Sequence, residues 1–476
     1  LEPLGLPLEG LVLIEASAGT GKTYTITALY LRLVVEAAIP VNRILVVTYT
    51  NAATKELRDR IRNRLAQVRS AFLRGRAAEG DELAERLLDL LAVDRDLALR
   101  RLTNAVRGFD EAAIYTIHSF CKRVLGDNAF ESGLSFETEL MADTQDLLQE
   151  IVDDFWRKEF YPASPMVVKY FLDAGYTPEK LLAQIEPHLG KPYLQVVTQN
   201  DGVDGAALEQ SFVAAFQQAR ELWQRDRAVI EKLLLESPSL NRQKYGQKYI
   251  PGWLQAMDDY LADETPRLML FEKFEQFTTT KLQRSVNKGK SSPQHVFFDA
   301  CERLKTAAEA LADLYRYQLP GRLLAYCNAE LAQRKRRQQL QSYDDLLLDL
   351  YHALHDARQG PALTSRLQKR YAAALIDEFQ DTDPIQYAIF QGVYRNTDQP
   401  MFLVGDPKQA IYSFRGADIF AYLRARRDAS RRYTLDVNWR SDPRLLQALN
   451  AVFGAVSERP FLFDGIPFHR AIPAEQ

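Results

Sequence analysis

The sequence has few cysteines and no long apolar run. Its 476 residues include only Cys121, Cys301 and Cys327, which lie far apart in the chain. An odd number at such distances builds neither a disulfide framework nor paired zinc ligands, and it is typical of a protein in a reducing cytoplasm. No apolar stretch reaches the ~18 residues of a transmembrane helix. The first ten residues lack the positive charge that begins a secretory signal.

A charge excess of one sign is also missing. The 60 Lys and Arg residues face 63 Asp and Glu residues, which gives a formal net charge of -3. This balance excludes a globally basic nucleic-acid coat but allows local basic grooves. Hydrophobic residues make up 46% and charged residues 26%, which excludes a mostly disordered chain. At this length we expect about three domains.

Short apolar runs alternate with helical patterns at both ends of the chain. The runs that predict buried strands lie at 11–15, 44–48 and 113–116, and again at 372–376, 401–404 and 433–435. Strands that alternate with helices predict a parallel α/β sheet. Between 126 and 340 strand-like runs are scarce and amphipathic helical patterns dominate. The sequence therefore predicts an α/β domain that is interrupted by a mainly helical insertion.

A loop of small residues separates the first predicted strand from the first predicted helix. It consists of Ala16, Ser17, Ala18, Gly19, Thr20, Gly21, Lys22 and Thr23. Glycines let successive backbone N–H groups turn towards phosphates, at a helix N-terminus that already favours anions. Lys22 supplies charge to the β and γ oxygens, and the Thr23 hydroxyl suits Mg²⁺. The pattern predicts a nucleotide phosphate site, although its strict form begins with Gly and not with Ala16.

Two adjacent carboxylates follow the predicted strand at 372–376. Asp377 is suited to holding Mg²⁺, and Glu378 is suited to polarising an attacking water. A solvated turn would explain an isolated Asp-Glu pair equally well. Ligands of open α/β sheets bind at the carboxyl ends of the strands, so the position behind an apolar strand favours a site.

Further motifs accompany the loop and the carboxylates. They lie at 48–57, 115–121, 377–382, 404–418 and 435–441. With these motifs the chain resembles superfamily 1 DNA helicases of the UvrD-like kind, in which the loop also begins with Ala. The segments 6–23 and 342–348 are similar to the β-subunit family of exodeoxyribonuclease V. The resemblance implies a RecA-like P-loop NTPase with a parallel sheet and a large, mainly helical inserted subdomain.

The resemblance also implies roles for single residues. Gln409 resembles a γ-phosphate sensor that links ATP to DNA, and Arg440 resembles an arginine that touches the γ-phosphate from a second motor domain. The implied DNA-binding residues are Thr48, Tyr49, Thr50, Asn51, Thr116, His118, Ser119, Tyr412, Phe414 and Arg415. Hydroxyl and amide groups bind phosphates without reading sequence, and aromatic rings stack on any base. Without these motifs the aromatic residues would indicate core packing, and His118 would indicate a structural residue.

Three basic runs lie in the predicted insertion. They are 334–337, the group Lys281, Arg284, Lys288 and Lys290, and the interleaved residues at 244–249. Each suits contact with a nucleic-acid backbone. A solvated surface accounts for each of them as well.

The resemblance implies a division into motor domains. Residues 1–125 and 341–433 would form the first motor domain, 126–340 the helical insert, and 434–476 the start of a second motor domain. The family's later motifs, including a further arginine, do not follow Arg440. We therefore expect the chain alone to bind Mg-ATP weakly and to hydrolyse little of it. We also expect the chain after Tyr433 to be poorly supported.

The implied function is an ATP-dependent 3′→5′ DNA helicase or translocase with ATP and Mg²⁺ as cofactors. It would act on single-stranded DNA and duplex ends in the bacterial cytoplasm, with the γ and α subunits of a recombination nuclease. Another UvrD-like helicase is one alternative, and a P-loop kinase or GTPase without stacking aromatics is a second. A non-catalytic scaffold is a third, although the intact catalytic side chains argue against it.

Overall fold

The chain forms two compact units in a computed structural model. The model describes residues 3–128, 139–141, 143–197, 204–411, 417–455, 461 and 465–474. One unit consists of Leu1–Leu140 and Gln341–Gln476 and is called here the α/β unit. The other consists of Met141–Leu340 and is called the helical unit. The predicted division of the α/β part into two motor domains stays a prediction.

Short strands run through the chain. They are β1 (Leu11–Ala16), β2 (Ile44–Thr48), β3 (Ile114–Thr116), β4 (Glu139–Leu140), β5 (Leu340–Gln341), β6 (Ala373–Ile376), β7 (Met401–Gly405), β8 (Arg431–Leu435), β9 (Val437–Asn438) and β10 (Ile472–Pro473). The main sheet has six strands in the order β3-β2-β6-β7-β1-β8. All of its pairings are parallel, which confirms the predicted sheet.

Helices cover the main sheet. Those of the α/β unit are α1 (Lys22–Val35), α2 (Asn51–Arg74), α3 (Glu82–Leu90), α4 (Arg95–Arg107), α5 (Ile117–Asp127), α13 (Tyr343–His355), α14 (Gly360–Arg370), α15 (Pro384–Tyr394), α16 (Ile419–Asp428) and α17 (Pro443–Ala455). Successive strand residues point to opposite faces, so Val12 and Ile14 belong to one apolar core and Leu13 to the other. A parallel sheet buried on both faces explains why its strands are continuous apolar runs.

The edge strand β8 corrects one expectation. A strand was predicted at 433–435, but the chain after Tyr433 was expected to be poorly supported. The structure confirms the strand, and within it Thr434 pairs with Glu15 and Leu435 pairs with Ala16. The reason is that β1 has a free edge for β8, so this strand needs no partner from elsewhere in the protein.

The helical unit is built from helices of very different length. They are α6 (Gln145–Phe160), α7 (Pro165–Asp173), α8 (Pro178–Ile185), α9 (Gly205–Glu236), α10 (Ile250–Ala262), α11 (Thr279–Gln283) and α12 (Val296–Gln338). The long helices α9 and α12 pack against each other around one apolar core rich in aromatic residues. In the parts of the chain that the model describes, no helix has both the length and the apolar character to cross a membrane.

Candidate nucleotide and nucleic-acid sites

The carboxyl ends of β1, β6 and β7 lie side by side, since β7 pairs with both of the others. The phosphate loop continues from β1, Asp377 and Glu378 follow β6, and Asp406 follows β7. Parallel strands bring such ends to one edge of the sheet. Segments that are hundreds of residues apart in sequence therefore contribute to a single site.

The phosphate loop depends on its glycines for its shape. Gly19 has φ +79° and Gly21 has φ +93°, which are left-handed values that favour glycine. Gly21 is also the N-cap of α1, so Lys22 and Thr23 form the first turn of that helix. The N–H groups of a first turn have no partner within the helix and are available to an anion.

The segment after β9 contacts the phosphate loop. The Asn438 side-chain amide donates to the Ala18 carbonyl at 2.8 Å, and the Trp439 N–H donates to the Gly19 carbonyl at 2.8 Å. Arg440 follows, and its Cβ would lie 2.7 Å from a Cβ added at Gly19. The sequence predicted Arg440 but missed Asn438, whose only signal was its position in the motif at 435–441.

Lys22 and Glu378 form the central ion pair of this site. Lys22 Nζ lies 2.6 Å from Glu378 Oε2. Gln380 Nε2 donates to the same oxygen at 2.8 Å. Glu378 has φ +49°, which is a costly conformation for a residue with a side chain. Two donors and a constrained backbone thus fix the direction of this carboxylate.

Gln380 extends the site towards Gln409. Its Oε1 accepts from the Asp406 N–H at 2.9 Å, and Gln409 Nε2 donates to Asp406 Oδ2 at 2.8 Å. Gln380 and Asp406 are 2% and 3% exposed. Buried polar groups of this kind need their partners, and hydrogen bonds that include the Asp406 backbone N–H connect Glu378, Gln380, Asp406 and Gln409 in one network. Neither Gln380 nor Asp406 was predicted from the sequence as a site residue.

Two carboxyl groups near Glu378 have few hydrogen bonds. Burial, together with the charge of the neighbouring Glu378, raises the pKa of Asp377 to about 6. Burial likewise raises the pKa of Asp381 to about 6, and its Oδ1 is buried without a hydrogen-bond partner among the described residues. A bound cation would favour the ionised form, so the residues present fit a divalent metal.

The described residues do not by themselves provide a full set of ligands for a metal ion. Within the described ranges, no group of three or more His, Cys, Asp or Glu residues could hold a metal ion. Mg²⁺ usually keeps several waters and is bound by one or two protein oxygens together with substrate phosphates. Thr23 and Asp377 would be those protein ligands, with phosphate oxygens as the remainder.

Most of these residues line one cleft, which has a volume of about 1660 Å³. Seven of the eight loop residues, Ser17 to Thr23, line it, together with Glu378, Gln409 and Arg440. The structure adds Tyr24 and Trp439, which are 52% and 72% exposed and which the sequence analysis did not identify. The predicted residues therefore lie together, and their roles in nucleotide binding stay predictions.

A second groove, of about 560 Å³, lies at the ends of β2 and β3. Its lining residues are Tyr49, Thr50, Asn51, Thr116, His118, Ser119, Lys122, Tyr343 and Leu346. Because β2 and β3 are neighbours, two predicted DNA-binding segments meet here. Lys122, Tyr343 and Leu346 were not predicted. Contact with DNA stays a prediction for all of these residues.

Several of the predicted hydroxyl groups make hydrogen bonds within the protein. Thr48 is 2% exposed, and its hydroxyl donates to the Thr50 carbonyl at 3.3 Å. The Thr116 side chain caps α5 by accepting from the Ser119 N–H at 3.3 Å. Tyr49 donates its hydroxyl to the Asp381 carbonyl, which connects this groove to the segment that follows Glu378.

His118 lies edge-on to the ring of Tyr343, with 5.5 Å between the ring centroids. Burial lowers its pKa, although the charge of Asp344 opposes the shift. The lowered pKa favours the neutral imidazole near pH 7. The exposed Lys122 carries the positive charge of the groove.

The other residues predicted to contact nucleic acid are three that follow β7 and the basic runs of the helical unit. Tyr412, Phe414 and Arg415 lie outside the described residues. In the helical unit, the Asn241 N–H donates to the Ser285 carbonyl at 2.9 Å, and this contact brings two basic runs together. The third run is partly neutralised, because Arg334 lies 2.6 Å from Asp154.

Comparison with known proteins shows which family the chain resembles. Residues 4–430 match the model of the UvrD/REP helicase N-terminal domain. RecBCD enzyme subunit RecB of Escherichia coli K12 is 39% identical over 98% of this chain, and that of Haemophilus influenzae is 36% identical over 98%. RecBCD enzyme subunit RecB of Mycobacterium tuberculosis H37Rv is 30% identical over 94%. The chain spans 40%, 42% and 30% of these relatives, respectively.

The family match covers the whole helical unit and the α/β unit from residue 4 up to residue 430, which leaves out β8 and the chain that follows it. It includes the phosphate loop, both carboxylates and Gln409, which the structure places around one cleft. The chain therefore belongs to the UvrD/REP helicase family.

Proposed function

We propose that the chain is the motor part of a RecBCD-type enzyme, an ATP-dependent 3′→5′ DNA helicase and translocase in double-strand-break repair and recombination. One observation carries the proposal. Lys22 Nζ lies 2.6 Å from Glu378 Oε2 in the cleft that Gln409 and Arg440 also line. A phosphate-binding cation, a base and a sensing amide thus share one site.

ATP is the proposed substrate and Mg²⁺ the proposed metal. Bound Mg²⁺ would neutralise charge on the phosphate oxygens. Lys22 and the N–H groups of the loop would bind the phosphates, and Thr23 and Asp377 would hold the metal. Phosphates that bind Lys22 compete with Glu378 for its ammonium group. Nucleotide binding would therefore release Glu378 to accept a proton from water.

Glu378 and Arg440 have complementary roles in the proposed hydrolysis. Gln380 keeps a hydrogen bond to Glu378 Oε2 at 2.8 Å, so the carboxylate stays oriented after Lys22 has moved to the phosphates. Arg440 lies beside the loop and stabilises the charge that develops on the transferred group. The Asp406 hydrogen bond holds Gln409, which follows β7 and lines the same cleft.

The groove after β2 and β3 is the proposed contact for single-stranded DNA. Asn51 and Ser119 offer amide and hydroxyl groups, and Lys122 offers charge, none of which requires a particular base. Tyr412, Phe414 and Arg415 join them on the basis of sequence. We further propose duplex ends as substrate, RecC-like γ and RecD-like α subunits as partners, and the bacterial cytoplasm as location.

The test measures ATP hydrolysis by the full-length protein, assembled with its partner subunits, with and without single-stranded DNA. Glu378→Gln keeps the shape of the side chain but loses the base, so hydrolysis falls about 10²–10⁴-fold while nucleotide binding persists. Lys22→Ala loses nucleotide binding, measured by titration. Asp110→Asn, in an exposed ion pair with Arg62 of α2, is the control and changes neither.

The outcomes separate the alternatives. Hydrolysis by Glu378→Gln at the wild-type rate contradicts the assignment of the base. Phosphoryl transfer to an acceptor, without stimulation by DNA, indicates a kinase. A wild-type enzyme that binds partners but hydrolyses no ATP indicates a scaffold.

A further inference from the structure

Glu15 carries a buried carboxylate next to the ATP cleft. It lies at the carboxyl end of β1, one residue before the phosphate loop begins at Ala16, and it is 8% exposed. In the sheet it pairs with Gly405 of β7 and Thr434 of β8. The other residues of β1 are apolar, so a carboxylate at this position needs dedicated partners to offset its burial.

Helix α16 provides those partners. The Tyr422 hydroxyl donates to Glu15 Oε1 at 3.2 Å, and Arg426 Nε donates to the same oxygen at 3.0 Å. The other oxygen, Oε2, lies 4.0 Å from His469 Nε2. Burial raises the pKa of Tyr422, and the Glu15 charge raises it further, so its hydroxyl keeps the proton that it donates.

The same helix contacts the chain that follows Glu378. The Tyr422 ring lies 5.9 Å from the ring of Phe379, and the Asp418 N–H at the start of α16 donates to the Thr382 carbonyl at 3.3 Å. Tyr422 therefore contacts residues that adjoin both the phosphate loop and the proposed base. In sequence, α16 also begins soon after the aromatic residues that are proposed to stack on DNA.

Stability alone does not explain this arrangement. Replacing a buried ion pair by apolar residues of similar volume is often neutral or stabilising. Leu, Val and Ile already fill the preceding positions of β1, where they are fully buried. A charged residue at Glu15 instead fixes α16 in one position through two directional hydrogen bonds.

We propose that Glu15 is a positioning residue which, through Tyr422 and Arg426, holds α16 against the strand of the phosphate loop and so couples DNA binding to ATP hydrolysis. This inference rests on the proposed function, because it requires hydrolysis that DNA stimulates. Glu15 does not touch the substrate. Its loss should therefore alter the response to DNA more than the binding of either ligand.

The test uses the full-length protein with its partner subunits. Glu15→Gln keeps the volume of the side chain and removes its charge, and Tyr422→Phe removes one donor but keeps the ring against Phe379. We expect either change to lower the stimulation of kcat by single-stranded DNA about 10-fold. The affinities for nucleotide and for DNA, each measured alone, stay within about 2-fold of the wild type.

Arg426 provides the test of rescue. Arg426→Gln should lower stimulation as Glu15→Gln does, and Arg426→Lys should restore part of it because the charge returns. The double variant of Glu15→Gln and Arg426→Gln should lose little more than either single variant, which is the sign of a shared interaction. Glu9→Gln is the matched control, since Glu9 forms an exposed ion pair with Arg431 at 3.1 Å close to the same strand.

The outcomes distinguish this inference from the proposed function. Undiminished stimulation in Glu15→Gln overturns the inference while the proposed function stands. A parallel loss of nucleotide affinity and thermal stability, without rescue by Arg426→Lys, also overturns it and assigns the ion pair to folding. A wild-type enzyme that DNA does not stimulate overturns the proposed function itself.

Discussion

The two units differ in where the pKa of a carboxyl group is raised: among the described residues the raised values lie in the α/β unit, whereas the shifted carboxyl groups of the helical unit all have lowered values. In the helical unit, hydrogen bonds from Arg334, Arg225 and Arg227 lower the pKa of Asp154, Asp226 and Asp258. In the α/β unit, burial raises the pKa of Asp377, Asp381 and Asp383 to about 6. The first group stabilises the fold as anions. The second group is costly to ionise without a cation, and it lies in one short segment after β6.

The two units also differ in what they bury. The helical unit places aromatic rings in its core, such as Trp223, Phe277 and Phe297, which are tightly packed against one another. The α/β unit additionally buries polar side chains at its strand ends, such as Gln380 and Asp406. The burial pattern of the helical unit is that of a packed core, whereas the buried polar groups at the edge of the sheet match the proposed ligand site.

The largest expected effect tests whether the chemistry belongs to the α/β unit. Arg440→Ala in the full-length protein removes the charge beside the phosphate loop, and we expect DNA-stimulated hydrolysis to fall about 10³–10⁵-fold. Arg444→Ala is the control, because Arg444 is also exposed and lies four residues further along without lining the cleft. Steady-state kinetics measure both. Equal losses in the two variants would show that the segment, and not the Arg440 charge, matters.

The second effect tests whether the helical unit serves packing alone. Phe297 is fully buried, with its ring 5.0 Å from that of Trp223. Phe297→Ala should destabilise the helical unit by about 3–5 kcal/mol. Tyr317→Ala, on the same helix but 48% exposed, is the control. Hydrogen exchange should report the loss within the helical unit while nucleotide affinity stays unchanged. A matching fall in nucleotide affinity would contradict the conclusion that the helical unit serves packing alone.

The same contrast explains what the sequence predicted of the fold. The parallel sheet was predictable because strands buried on both faces are continuous apolar runs. The helical insertion was predictable as helical from its periodicity, but the packing of α9 on α12 was not. Many different apolar residues can form the interface between two helices, so the sequence does not show which helix packs against which. The strand at 433–435 was predicted, but the pairing of Thr434 and Leu435 with β1 was missed because strand partners depend on sheet order and not on neighbouring sequence.

The site was predictable where backbone geometry demands a residue type. Gly19 and Gly21 adopt left-handed φ values, so the loop could be identified from its glycines. Gln380 was missed because its role depends on Asp406, which is 26 residues away and comes close only when β6 pairs with β7. Lys122 was missed because a single lysine on a helix carries no pattern. Residues defined by tertiary contacts alone have no signal in one sequence.

A smaller effect tests the raised carboxyl pKa values. Asp383 caps α15 by accepting from the Ile385 and Gln386 N–H groups, and burial raises its pKa to about 6. The unfolded carboxyl releases its proton near its ordinary value of 3.8. Between these values the folded protein binds more protons than the unfolded chain, so rising pH lowers the free energy of unfolding.

Asp383→Asn keeps a capping oxygen and cannot ionise. Relative to the wild type, it should gain roughly 1–3 kcal/mol as pH rises from about 4 to 7. Asp356→Asn should show the opposite sign, because hydrogen bonds from the Gln359 and Arg358 N–H groups lower the pKa of Asp356. Urea unfolding at several pH values measures both. A gain by both variants would mean that general charge repulsion, and not burial, sets the pH dependence.

The smallest effect asks which unit binds single-stranded DNA. Lys122 lines the groove after β2 and β3, and Lys248 of the helical unit lies 4.7 Å from the centre of the Tyr249 ring. Lys122→Ala should weaken binding by about 1 kcal/mol, equally for mixed and homopolymer strands, and should reduce the salt slope by about 1. Lys248→Ala should change neither, since a solvated lysine explains its position. Fluorescence anisotropy over a range of salt concentrations measures both quantities. If Lys248→Ala had the larger effect, the helical unit would be a nucleic-acid surface as well, and its basic runs would be more than solvated charge.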